Sequence, residues 1–177
     1  MDEIAELLAV LGKNEPIKKM SYAEVFFEYS DIDILNSDIN DLKTILNSLD
    51  LNADDEWIED IQMHLFVHLI EPKLKEIPVC FIYDFPKDQA ALAEIHGPVA
   101  HRFEMYINGT EIANGYQEIQ SAQEYRDRFN EELNKRKVLS KPFELLDHSF
   151  LKDLEEGLPY CSGVAIGIER LYSSLGL

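Results

Sequence analysis

The run Arg102-Phe103-Glu104-Met105-Tyr106-Ile107-Asn108-Gly109-Thr110-Glu111-Ile112-Ala113-Asn114-Gly115-Tyr116-Gln117-Glu118 decides the fold. Asn-Gly between two alternating segments signals a two-residue hairpin turn, because both central residues of such a turn need positive φ. With that turn, Ile107 pairs with Thr110, Tyr106 with Glu111 and Met105 with Ile112. Paired residues share a face. One face then carries Phe103, Met105, Ile107 and Ile112, an apolar core surface, and the other carries Arg102, Glu104, Tyr106 and Glu111.

Two carboxylates, an arginine and a tyrosine at mid-sheet mark either a solvent-facing edge or a site. Strict alternation puts Asn114 and Glu118 on the face opposite Glu111. They join Glu104 and Glu111 only if the strand bulges or bends between Glu111 and Asn114, or at Gly115. An unbroken ladder through 110–118 leaves them outside. Converged, three carboxylates and a carboxamide would hold a cation, either a divalent metal on nucleotide phosphates or a substrate ammonium. Without one, like charge pushes a carboxylate to take up a proton.

Working outward, the expected elements are helical first and then mainly strands. Ile4, Leu7, Leu8 and Leu11 recur at helical spacing over 2–12, with Gly12 as the stop. Ser21 with Glu24 forms a capping box for a second helix, and Asp38 caps a third through Leu49. A long helix is expected from Asp54-Asp55-Glu56 to a stop before Pro72. Val79–Tyr83 reads as a buried strand between Pro78 and Pro86. Charged helices are expected over 121–137 and 144–156. Last, Ser162–Gly167 reads as a strand with Gly163, Ala165 and Gly167 on one side, feeding a helix over Ile168–Ser174. A strand face stripped of side chains suits a flat or bulky ligand, and equally suits close helix–strand packing. Arg170, one turn into the helix, stands ready for an anion. The expected class is α+β: an antiparallel sheet flanked by helices, one domain over 1–177, with a helical part (1–75) and a strand-rich part (76–177).

The 177 residues include 46% apolar side chains, enough for a core, and carry a formal charge of −18. That balance argues against a surface gripping nucleic-acid phosphates and fits a basic partner, a cationic ligand or simple solubility. Cys80 and Cys161 are too few and too distant for a disulfide framework and read as buried thiols. No long apolar run exists and the N-terminus is acidic, so a soluble cytoplasmic protein with no membrane association is expected. His64 and His68 stand four apart but sit in an apolar stretch without a metalloprotease glutamate, so they read as structural or surface residues. Arg126, Arg128, Lys135, Arg136 and Lys137 give the 121–137 helix a basic stretch whose acidic neighbours suggest a solvated face. The acidic 31–60 region reads as another.

Arg102-Phe103-Glu104, Glu111 to Glu118 and Ser162 to Arg170, in this order, resemble the C-terminal half of class II lysyl-tRNA synthetases. Within that family they look most like the branch of elongation factor P–(R)-β-lysine ligases. The resemblance runs from about residue 15 to the C-terminus and includes Phe85-Pro86-Lys87-Asp88-Gln89-Ala90-Ala91-Leu92. It implies a partial class II synthetase catalytic fold and an ATP-dependent ligase using Mg²⁺. Glu104 and Glu111 would hold the metal, the substrate's amino group and, with Ile112, Gly167 and Arg170, the ATP end. Arg170, in the family's third motif, would be the catalytic arginine. Asn114 and Glu118 would hold lysine or β-lysine, Glu118 pairing with the side-chain ammonium, against Gly163 and Ala165.

Ala165, where tRNA-charging members tend to have glycine, points toward β-lysine and elongation factor P, with tRNA a weaker partner. The family's first two motifs, the dimer-forming one and the one with an α-phosphate arginine, find no counterpart, nor does an anticodon-binding domain. The resemblance therefore implies little activity for these residues alone, and a homodimer only in the full-length family protein. The alternatives are a non-catalytic paralog that binds lysine-like ligands or a partner protein, and a fragment of a tRNA-charging enzyme.

Overall fold

The structure, a computed structural model, describes residues 1–142 and 147–176. Its elements in chain order are α1 (Asp2–Val10), β1 (Ile17–Ser21), α2 (Tyr22–Ser30), α3 (Ile39–Ser48), α4 (Ile58–Leu65), a π-helical turn (Phe66–Ile70), α5 (Glu71–Leu74), β2 (Val79–Pro86), a 3₁₀ turn (Lys87–Gln89), β3 (Ile95–His96), β4 (Val99–Ile107), β5 (Thr110–Gln117), α6 (Ala122–Val138), α7 (His148–Glu155), β6 (Ser162–Ile166) and α8 (Ile168–Leu175). The expected helix over 144–156 is seen as α7, and residues 143–146 lie outside the described residues.

Both expected caps form: Ser21 with Glu24, and Asp38 with Asp41, each satisfy two backbone donors reciprocally. The long helix departs from expectation at both ends. Trp57 is its N-cap, and it runs through Pro72 to Leu74. The π turn immediately before Pro72 changes the hydrogen-bonding pattern where a proline would otherwise clash with a regular turn.

One six-stranded sheet runs β1-β2-β4-β5-β6, with β3 paired to β4. The α+β class holds, with one correction: β1 lies inside the segment expected to be wholly helical and pairs parallel with β2, while the other pairs are antiparallel. Its Lys18-Lys19 pair hides it from an apolar-pattern reading, and lysines are common on an edge strand because they discourage further pairing.

Alternation along β2 divides the core between the two faces of the sheet. Cys80 and Ile82 join Tyr22, Val25, Phe26, Leu42, Leu46, Ile61, Leu65 and Ile70 beneath α2, α3 and α4. Val79 and Phe81 join Ile4, Leu8, Met105, Ile107, Ile112 and Leu171 beneath α1 and α8. Each fully buried large side chain contributes roughly 1.5–3 kcal/mol. Of the two cysteines, Cys80 is buried, its thiol pushed up to about 12 by desolvation, whereas Cys161 is half-buried.

Candidate active site

The hairpin turn forms as the dipeptide requires, with φ of 48° at Asn108 and 76° at Gly109. Ile107 pairs with Thr110 and Tyr106 with Glu111, but Met105 pairs with Ala113 and not with Ile112. Ile112 is the extra residue of a β-bulge. It and Ala113 both enter the apolar core beneath α8, where alternation alone would send Ala113 to the other face. The bulge resets the phase of everything after it. Asn114 now stands directly opposite Glu104, and Tyr116 opposite Arg102. The break required between Glu111 and Asn114 is therefore present, and it sits at Ile112.

On β6, Ala165 pairs with Asn114 and Gly163 with Tyr116, so both small residues share the face of Glu104. A second irregularity, between Tyr83 and Phe85 opposite β4, brings Phe85 to the same face. There its ring lies beneath Arg102, 4.5 Å from the guanidinium carbon. Cys80 and Ile82 face this way too, under the helices. The polar constellation begins on the sheet face where the apolar core ends.

Glu104 is its centre and is only 8% exposed. Arg102 Nη2 donates to its Oε1 at 2.5 Å, Asn114 Nδ2 to the same oxygen at 3.1 Å, and Tyr106 Oη to its Oε2 at 2.5 Å. Burial, and then the Glu104 charge, hold the Tyr106 phenol far above its ordinary value, so it remains a donor. Arg102 Nη1 also donates to the Gln89 carbonyl at 2.7 Å. Gln89 Nε2 in turn donates to Tyr22 Oη and Gln62 Oε1, both at 3.0 Å. The buried Gln62 thereby ties α4 to the site. Two polar atoms here are buried without a partner, Arg102 Nε and Asn114 Oδ1.

Glu111 is half-exposed. Desolvation and the Glu104 charge raise its pKa, opposed by Arg170, Arg102 and Asn114. Arg170 Nη1 donates to the Glu111 carbonyl at 3.1 Å and lies 3.6 Å from its Oε2. The Gly167 N–H, at the start of α8, donates to the Ile112 carbonyl at 2.8 Å, which docks that helix against the bulge. Glu71, on α5, feels the Glu104 charge: its carboxyl is raised by burial and then by Glu104. Sequence reasoning missed Glu71, Gln62 and Gln89, because nothing local marks them.

At the other end, Glu118 Oε2 accepts from Tyr125 Oη at 3.3 Å. Burial, then the Glu118 charge, push that phenol up to about 12. A Cβ at Gly163 would run into Glu118 Oε1, so the glycine makes room for this carboxylate. The result is a slot along β5. Glu111 and Arg170 stand at one end, Glu104 and Asn114 in the middle, Glu118 at the other, and Gly163 and Ala165 on the floor.

The basic stretch of α6 is not a free surface. Arg128 pairs with Glu124 and caps the Ala91 and Ala93 carbonyls, Lys135 bridges Glu59 and Asp60, Arg136 pairs with Glu132 and Arg126 with Glu155. His64 contacts Asp55 at 3.1 Å, as a structural residue does. Among the described residues no helix is long and apolar enough to cross a membrane.

Residues 2–176 match the family of class II tRNA synthetases (D, K and N), and the chain belongs to it. It is similar to elongation factor P–(R)-β-lysine ligases of named bacteria: 41% identical to that of Proteus mirabilis over 177 residues and 38% to that of Klebsiella pneumoniae over 177. It is 39% identical to the Edwardsiella ictaluri protein over 178. Each comparison covers 97% of this chain and 54% of the relative, so the chain spans about half the length of the curated relatives it matches.

Proposed function

We propose that the slot along β5 is the lysine- and ATP-facing wall of an adenylate-forming ligase that attaches (R)-β-lysine to elongation factor P. The observation that carries this reading is the Ile112 bulge. It aligns Glu104, Glu111, Asn114 and Glu118 on one face over two small residues, an arrangement with no packing purpose.

Glu118 takes the side-chain ammonium, with Tyr125 donating to its other oxygen and Gly163 leaving room. A second ammonium, the substrate's amino group, supplies the donor that Asn114 Oδ1 lacks. The substrate carboxylate then points toward the Arg170 end. There a carboxylate oxygen attacks the α-phosphate of ATP and pyrophosphate leaves. An acceptor amine then takes the aminoacyl group and releases AMP. Alignment and charge neutralisation do the work, and no protein nucleophile is needed. Arg170 neutralises phosphate charge from the start of α8, and the Gly167 and Ile112 backbones hold that helix in place.

Mg²⁺ would supply further phosphate neutralisation. Glu111 fits it as a half-exposed carboxylate whose raised pKa a cation would lower again. Glu104 fits less directly, because Oε1 already accepts from both Arg102 and Asn114, and Oε2, which accepts from Tyr106, keeps one lone pair for a metal. Its main role is to hold Asn114 and Arg102 in position.

Calorimetry with lysine, (R)-β-lysine and ATP tests the reading. The expected result is tighter binding of β-lysine than of lysine, lost in Glu118→Gln. Absence of binding by any of the three, or binding indifferent to Glu118→Gln, overturns it.

A further inference from the structure

The short hairpin of β3 and β4 carries a second cluster that plays no part in the slot. Glu94 and His96 are two apart, so they point to one side of β3. The His101 N–H donates to the Glu94 carbonyl at 2.9 Å, which makes Glu94 and His101 cross-strand neighbours, and His96 pairs with Val99 beside them. By alternation from Arg102, His101 belongs to the face of the sheet opposite Glu104. The imidazoles of His96 and His101 stack at 4.1 Å with an interplanar angle of 8°. One ligand atom from each of Glu94, His96 and His101 lies within 4.8 Å of the other two. Glu94 Oε2 is buried and 3.4 Å from His96 Nε2, yet has no hydrogen-bond partner.

Ordinary packing does not explain this. Two exposed imidazoles gain little from each other, and a buried carboxylate oxygen without a donor costs free energy. A divalent cation would supply the partner that Glu94 Oε2 lacks and draw on both imidazoles, one of which turns out of the stack, because parallel rings cannot both aim an in-plane lone pair at one ion. Two imidazoles and one carboxylate are the donor set of borderline metals such as Zn²⁺, with positions left open to water, and oxygen-seeking Mg²⁺ is disfavoured by the nitrogens.

We infer that Glu94, His96 and His101 form a surface site for a borderline divalent transition metal of the Zn²⁺ type, separate from any metal at Glu111. Bound there, the cation would close the β3–β4 hairpin on itself. The hairpin's base is already fastened to β5, since the Glu94 N–H donates to the Gln117 carbonyl at 2.9 Å and Ala93 bridges to Glu118.

The test uses the 177-residue chain carrying no histidine tag and stripped of metal, titrated with Zn²⁺ while its histidine ring signals are followed by NMR. The signals of His96 and His101 are expected to move together and finish near one equivalent. Those of His64, His68 and His148 should stay in place, and millimolar Mg²⁺ should not compete. His101→Ala and Glu94→Gln, both changes on a half-exposed hairpin, should each weaken binding by about tenfold or more. The inference is overturned if all five histidines respond alike, if His96 and His101 stay still at one equivalent, or if both variants bind Zn²⁺ as the parent does.

Discussion

Asn114 Nδ2 donates to Glu104 Oε1 at 3.1 Å from the position directly across the ladder, a pairing that exists only because Ile112 is an extra residue in β5. Glu104 is nearly buried, so each of its donors matters. Asn114→Ala leaves Oε1 with Arg102 alone and should cost about 1–3 kcal/mol, seen as a lower urea midpoint with an unchanged slope. A neutral result would mean that water replaces the carboxamide at no cost.

Gly115 and Gly163 are neighbours across β5 and β6, yet alanine should act differently at each. A Cβ at Gly115 would lie 2.5 Å from the Phe103 ring and 2.8 Å from the Gly163 carbonyl. Gly115→Ala should therefore destabilise by about 1–3 kcal/mol through overpacking. At Gly163 the obstacle is the flexible end of Glu118. Gly163→Ala should leave the urea midpoint almost unchanged and weaken lysine or β-lysine binding about tenfold or more, because the displaced carboxylate loses its charge-assisted contact. Equal effects on stability and binding at both positions would argue against the slot.

Glu111 makes stability depend on pH in a direction set by its raised pKa. The folded state holds this proton more tightly than the unfolded chain. Its contribution is therefore most favourable below the ordinary value of 4.5 and declines as pH rises through the folded value. Glu111→Gln removes the decline, so the variant should be more stable than the parent at pH 7 and lose that advantage below pH 4.5. With 39% of the side chain exposed, water limits the gain to about 1 kcal/mol or less. Chemical denaturation at several pH values measures it, and a growing advantage on acidification would contradict it.

Ala165 sits opposite Asn114 on the slot floor. A single methyl at a substrate wall shifts preference by about 1–3 kcal/mol, or roughly 10- to 200-fold. Ala165→Gly should move the ratio of β-lysine to lysine affinity toward lysine by at least the lower figure. Calorimetry with both ligands reads it, and an unchanged ratio would remove Ala165 from the specificity argument.

Much of this was legible in the chain because it depends on local chemistry. Ser21 with Glu24 and Asp38 announce their helices, since a cap needs only residues a turn apart. Asn108-Gly109 announces the hairpin for the same reason. The need for a break after Glu111 was legible as well, from the parity of the residues that had to converge. Its location was not, because any point between Glu111 and Asn114, or Gly115, was open and core packing chose Ile112. Pro72 misled about the end of the long helix, since the π turn that accommodates it has no sequence mark.

What the sequence determined by itself was the parts: the capped helices, the turn, the carboxylates and the small-residue strand, all governed by neighbours a few residues apart. The tertiary structure alone decided what those parts meet. Gln62 and Gln89 reach Arg102 from distant segments, Glu71 feels the Glu104 charge, Lys18-Lys19 becomes an edge strand, and Glu94, His96 and His101 come together across a hairpin. Those contacts depend on strand register and on which face a side chain takes, and a one-residue bulge inverts both.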